Sequence, residues 1–212
     1  MTKYEWYLSQ LKKETALHAY LDLSNMFHWQ RKLKWQFRFE DVISQIQALP
    51  SVKEIKVYYG LNERDLQNSM AFHRRIRKTG AILRTKPMKF IRKTIDEASL
   101  FKRSTMTLFD GDMSRKVSQL VEDIKQTGIV IEEPKCNFDV EMTMDILDES
   151  SRVSGVILFS GDSDMKAPLE RLKVEGKRIY IVGVRGMTAE ELHKVKDLYI
   201  DFGQFYQGVK RR

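Results

Sequence analysis

Val156-Ile157-Leu158-Phe159-Ser160-Gly161-Asp162-Ser163-Asp164-Met165 joins a short apolar run to a turn rich in carboxylates. Four apolar residues stopping abruptly at Ser-Gly read as an interior strand of a parallel sheet. The Ser-Gly-Asp-Ser-Asp that follows delivers two carboxylates to one exposed edge. Ligands of open α/β sheets sit at the carboxyl ends of strands, and a carboxylate pair at such an edge attracts a cation.

Working outward, the same strand-then-helix alternation recurs. Tyr4, Tyr7, Leu8 and Leu11 have helical spacing and predict an N-terminal helix over 3–17. Ala19 to Leu23 reads as a first strand, Phe39 to Leu49 as a helix, Glu54 to Gly60 as a second strand. Asp65 to Thr79 reads as a helix closed by Gly80, and Ala81 to Thr85 as a third strand. Beyond Asp139 follow a helix to Asp148, the Val156–Phe159 strand, a helix closed by Gly176, and a strand over Arg178–Val182. Helix Ala189–Val195 and the segment Leu198–Ile200 come last. This alternation calls for α/β architecture, a mainly parallel sheet flanked by helices, in a single domain spanning 1–212. An insertion over about 87–134 interrupts it, with Phe90–Ile95 and Thr105–Phe109 as a candidate hairpin and Ser114–Thr127 as a helix.

Acidic residues recur where a ligand would bind. Asp22 ends the first strand, Asp139 opens a helix, and Asp162 and Asp164 follow the Val156–Phe159 strand. If the first strand and the Val156–Phe159 strand are neighbours at the topological switch point, Asp22 faces the Asp162/Asp164 pair across the crevice. Clustered carboxylates repel until something positive joins them, and Mg²⁺ or Mn²⁺ suits such oxygen donors. Each residue also has a plainer reading, since Asp favours turns and helix N-caps. Asn25 and Ser160 are supporting candidates that equally suit loop and turn formation. Asp145, about 240° around the helix from Asp139, reads as a support or a structural residue.

Cys136 is the only cysteine, which excludes an intrachain disulfide and a cysteine-based zinc site. No stretch approaches the roughly 20 apolar residues of a membrane span, and the expectation is a cytoplasmic protein without membrane partners. The formal net charge is +8, and it is concentrated. Arg74, Arg75, Arg77, Lys78, Arg84, Lys86, Lys89, Arg92, Lys93, Lys102 and Arg103 lie between His73 and Ser104 against only Asp96 and Glu97. Such a concentration fits a polyanion, because neutralising phosphates releases counterions; a solvated charged face is the alternative. Trp29, Trp35 and Phe37, interleaved with basic residues, suit base stacking, while the alternation of Trp35, Phe37 and Phe39 equally suits a half-buried edge segment.

In their order, Tyr20-Leu-Asp-Leu-Ser-Asn25, Lys135-Cys-Asn-Phe-Asp-Val-Glu-Met-Thr-Met-Asp145 and Leu158-Phe-Ser-Gly-Asp-Ser-Asp-Met165 resemble the NYN domain family, a branch of the PIN-like nucleases. Asp197 lies in a segment similar to the family's closing one. The resemblance implies a Rossmann-like PIN/NYN fold and endonucleolytic, Mg²⁺- or Mn²⁺-dependent cleavage of RNA, single-stranded or structured. It assigns the catalytic and metal-binding roles to Asp22, Asp139, Asp162 and Asp164. The long basic insertion departs from the usual domain. A non-catalytic RNA-binding or regulatory module is the alternative, and a homodimer is left open. A haloacid-dehalogenase-like phosphatase would need a second Asp at position 24, where Ser stands.

Overall fold

The computed structural model describes residues 1–94, 111–127 and 130–207. Among them the strands are β1 Leu17–Asp22, β2 Val52–Tyr58, β3 Ile82–Arg84, β4 Lys89–Thr94, β5 Val130–Lys135, β6 Gly155–Phe159, β7 Arg178–Gly183 and β8 Leu198–Asp201. The helices, in the same order, are α1 Lys3–Leu11, α2 Leu23–Leu33, α3 Phe39–Gln47, α4 Leu66–Lys78, α5 Gly111–Gln126, α6 Asp139–Asp148, α7 Lys166–Val174, α8 Glu190–Val195 and α9 Phe202–Gln207. The chain divides into two compact units, Met1–Pro87 with Asn137–Arg212, and Met88–Cys136.

The larger unit is built on a six-stranded sheet in the order β3-β2-β1-β6-β7-β8, with every described pairing parallel. Alternation along each strand sorts residues between two faces. Leu17, Ala19 and Leu21 of β1 and Ile55 and Val57 of β2 join one core cluster with Met26 and Trp29 of α2, Val42, Ile43 and Ile46 of α3, and Phe202 and Phe205 of α9. Burying each such large side chain contributes about 1.5–3 kcal/mol. The alternate residues His18, Tyr20, Lys56 and Tyr58 turn to the other face, where their polar groups meet α6 and the residues after it.

Several expected elements end elsewhere. The N-terminal helix stops at Leu11, where its apolar spacing ends, and Leu17 already begins β1. Its start is set by a capping box in which Thr2 and Glu5 satisfy each other's backbone N–H groups. Helices α2 and α9 are absent from the sequence reading. The apolar residues of α2 are interrupted by a polar, basic face, and α9 is a six-residue element stabilised by packing more than by pattern.

In the smaller unit, β4 pairs antiparallel with β5, from Lys89↔Lys135 to Thr94↔Val130. The strand after α5 therefore belongs to this separate two-stranded sheet. The expected hairpin partner Thr105–Phe109 lies outside the described residues.

Candidate metal and nucleic-acid site

β1 and β6 are parallel neighbours, with Leu17↔Gly155 through Leu21↔Phe159 in register. From this pair the sheet grows in opposite directions, to β2 and β3 on one side and to β7 and β8 on the other. It is a topological switch point, where diverging connections leave a crevice. The residues that leave the two strands at that level are Asp22 and Ser160.

Asp22 caps α2, its Oδ1 accepting the Asn25 backbone N–H at 3.1 Å. Burial, reinforced by the charges of Asp139 and Asp162, pushes its carboxyl up to about 6, although backbone N–H groups of Asn25 and Ser24 pull the other way. Asp139 opens α6, whose N-cap position is Phe138 and which has no side-chain cap; Asn137 Oδ1 accepts the Asp139 N–H at 2.8 Å, and the Asp139 carboxylate itself does no capping. Burial also raises the Asp139 carboxyl, with Asn137 opposing and Asp162 and Asp164 adding to the rise. Asp162 caps the single 3₁₀ turn Ser163–Met165, accepting the Asp164 N–H at 3.0 Å. Asp164 does not cap the helix that follows: α7 begins at Lys166, with Met165 at its N-cap and no side-chain cap hydrogen bond. Carboxylate oxygens of Asp139, Asp162 and Asp164 all lie within 4.8 Å of one another.

The turn that carries two of these aspartates is braced on both sides. Asn25 Oδ1 accepts the Gly161 N–H at 3.1 Å and the Trp29 indole N–H at 3.0 Å. Ser160, 1% exposed, accepts the Asp162 N–H at 3.2 Å. On the far side the Gly161 carbonyl accepts the Ala189 N–H at 3.0 Å. A Cβ on Gly161 would stand 2.0 Å from the Met187 carbonyl oxygen, so this close approach of two backbones requires glycine.

The sequence model of the NYN domain matches residues 18–203 of the chain. The chain belongs to the NYN domain family. That membership puts it in the PIN-like nuclease superfamily. A relative, the Low amplitude and bright protein LabA of Synechococcus elongatus, is 23% identical over 199 residues, covering 94% of this chain and 90% of its own. The crystal structure of a protein of unknown function from Vibrio parahaemolyticus matches with a TM-score of 0.59 at 19% identity, over 88% of this chain and 92% of that one, and so shares the fold.

Beside the carboxylate cluster, the NYN domain contains a second, neutralised one. Lys56 is 3% exposed. Its ammonium pairs with Glu149, with Asp145 at 3.2 Å and with Glu54 at 3.5 Å. Glu149 also accepts the Tyr20 hydroxyl at 2.9 Å and lies 2.9 Å from His18 Nδ1. His18, Glu54 and Glu149 are close enough to suggest metal ligands, but the Lys56 ammonium is the cation among them. Asp145 accepts two bonds from Arg84, at 3.0 and 2.7 Å, and one from the Tyr58 hydroxyl at 2.7 Å. It stays apart from the Asp139, Asp162 and Asp164 group and ties α6, the helix that presents Asp139, to β2 and β3. Although burial opposes ionisation, these partners hold the Asp145 and Glu149 carboxyls below their usual values.

Within the larger unit the basic run is distributed over α4, β3 and the segment after β3. Arg74, Arg75, Arg77 and Lys78 lie on α4, which returns between the parallel strands β2 and β3 and so runs against them. Its 13 residues span about 20 Å, placing Arg77 and Lys78 at the amino edge of the sheet, away from the aspartates. Arg75 is engaged by Glu40 at 2.9 Å, and Arg84 by Asp145. Lys86 pairs with Glu141 and stands 4.8 Å over the Phe138 ring, beside Asp139. In the smaller unit Arg92 pairs with Glu132 at 3.1 Å, Lys93 pairs with Glu133, and Lys89 is exposed. Lys102 and Arg103 lie outside the described residues.

The aromatic reading also shifts. Trp29 and Phe37 are core residues, and Trp35 stacks on Tyr206 at 5.4 Å. Phe27, like Trp6, is an exposed aromatic among the described residues; its signal in the sequence is an apolar residue on the basic face of α2.

Proposed function

We propose that this NYN domain is a metal-dependent endoribonuclease that hydrolyses phosphodiester bonds at the β1/β6 crevice. The observation that carries the reading is the grouping of Asp139, Asp162 and Asp164 within 4.8 Å beside an Asp22 driven up to about 6. Such a set is electrostatically costly alone and is relieved by a hard divalent cation. The donors fit Mg²⁺ or Mn²⁺, being carboxylate oxygens without thiolate or imidazole among them. A bound ion of this kind lowers the pKa of a coordinated water and stabilises charge on the leaving oxygen.

The chain's own residues prepare that chemistry. Asp139, Asp162 and Asp164 would present the oxygens that hold the ion, and Asp22 would add a fourth carboxylate beside them, whose ionised form a bound cation favours. Asn25 and Ser160 keep the Gly161–Asp162 turn in place, so the ligands need little rearrangement. Lys86, held against Phe138 and Glu141, brings positive charge to the rim beside Asp139, where a phosphate approaches.

The test is incubation of the protein with end-labelled single-stranded RNA and Mn²⁺, beside Asp162→Asn. Asparagine keeps the capping oxygen and removes the charge, so the expected result is internal cleavage by the parent and a loss of about a hundredfold or more in the variant. Equal activity of the two, or inactivity of both on every RNA tried, contradicts the proposal. Tight RNA binding unaffected by the substitution, without cleavage, would instead establish a non-catalytic module.

A further inference from the structure

α2 leaves the carboxylate cluster carrying an aromatic side chain outward. Phe27 is 36% exposed, while Met26 and Trp29 of the same helix are fully buried. Its ring lies 4.6 Å from Phe39, 5.3 Å from Tyr59 and 6.0 Å from Phe72, centroid to centroid. Tyr59 directly follows Tyr58, the register partner of Asp22. The aromatic group therefore begins at the carboxyl edge, one strand from Asp22, a lateral step of about 4.8 Å, on the face covered by α2, α3 and α4.

Here a cleft of about 400 Å³ opens, lined among others by Phe27, Gln30, Gln36, Arg38, Phe72 and Arg75. Arg75 sits over the Phe72 ring at 5.4 Å and is steadied by Glu40. The Arg38 side chain is 73% exposed, and Arg31, Lys32 and Lys34 of the neighbouring segment are exposed as well. Aromatic faces, two guanidinium groups and two side-chain amides form the combination that recognises a base and its phosphate: rings stack, amides reach base edges, and cations meet the backbone. An apolar peptide would find too much charge at this rim.

We propose that the cleft is a nucleobase-stacking subsite for single-stranded RNA, with Phe27 as its platform. A base stacks against Phe27 and Phe72, Arg38 meets the adjoining phosphate, and the strand passes over the carboxyl edge to place a phosphodiester a few nucleotides away at the aspartates. The inference deepens the nuclease reading and rests on it for the identity of the strand.

The test compares a fluorescein-labelled oligouridylate with an abasic ribose-phosphate strand of the same length, by anisotropy, with a chelator present to prevent turnover. The parent is expected to bind the base-bearing strand about tenfold or more tighter than the abasic one. Phe27→Ala abolishes that difference and leaves abasic binding unchanged, while Phe27→Tyr restores it. In a second measurement independent of any variant, 5-iodouridine in the strand photo-crosslinks to Phe27 or Phe72, mapped by mass spectrometry. A parent that does not distinguish the two strands, a preference that survives in Phe27→Ala, or crosslinks confined to other elements would overturn the subsite. The nuclease reading stands or falls separately: Asp162→Asn reports on the carboxylates, and Phe27→Ala at saturating RNA retains the parent's kcat with a raised KM.

Discussion

Asn25 Oδ1 accepts the Gly161 backbone N–H at 3.1 Å, joining the start of α2 to the turn after β6 across the switch point of the sheet. The same oxygen holds Trp29 Nε1 at 3.0 Å. Replacing Asn25 by Ala leaves two buried donors without this acceptor, each costing about 1–3 kcal/mol where water cannot substitute. The expected outcome is a drop of a few kcal/mol in urea-denaturation stability. Mn²⁺ affinity, measured by calorimetry, falls about tenfold or more, because the turn that aims Asp162 and Asp164 is released. Unchanged metal affinity would remove Asn25 from the site's support.

Asp22 links function to stability. Its folded carboxyl is raised to about 6 from 3.8, so the folded state holds a proton that the unfolded chain has already released. Stability of the metal-free protein therefore falls as pH rises between about 4 and 6, and the loss persists above that range. Asp22→Asn removes the ionisation and keeps a capping oxygen. The variant is expected to be more stable than the parent at pH 8 by on the order of 1–3 kcal/mol, and equal to it near pH 4. Thermal melts across this range check it. Added Mg²⁺ or Mn²⁺ should raise the melting temperature of the parent more than that of the variant.

The Lys56 cluster has the opposite sign. Asp145 and Glu149 are held below their usual values in the folded state, so their contribution is present above the unfolded carboxylate range and disappears as pH falls through the folded values. Lys56→Met strips the central cation from Glu54, Asp145 and Glu149 and should destabilise by roughly 3–5 kcal/mol at pH 7. Denaturation at pH 7 and at pH 3.5 checks this, with the gap between parent and variant narrowing at the lower pH. A gap that is constant across pH would show that Lys56 acts through packing alone.

The parts of this molecule most legible in the sequence are those where one local pattern has one physical cause. The run Val156–Phe159 is buried on both faces and therefore continuously apolar, and Gly80 and Gly176 adopt the positive φ of helix ends. Asp22, Asp162 and Asp164 were readable as strand-end carboxylates for the same reason. The roles within the cluster were less so: Asp162 is the residue that caps the turn and Asp164 the one that does not, a distinction set by backbone direction after Gly161. Lys56 gave no signal at all, because a lysine in an alternating strand reads as solvent-facing until Glu149 and Asp145 arrive from distant positions. The ion pairs of Arg84 and Lys86 gave no sequence signal for the same reason, their acidic partners lying on a helix more than 50 residues further along the chain.

The central claim is that the aspartates at the β1/β6 crevice hold a divalent cation that cleaves RNA. Single-turnover cleavage of an internally labelled RNA, followed against Mn²⁺ concentration for the parent and for Asp139→Asn, tests it most directly, since the Asp139 carboxylate carries no capping duty. The expected result is saturable, Mn²⁺-dependent internal cleavage by the parent, and in Asp139→Asn a rate lower by about a hundredfold or more at every Mn²⁺ concentration. Cleavage that is independent of Mn²⁺, or equal in the two proteins, would contradict it.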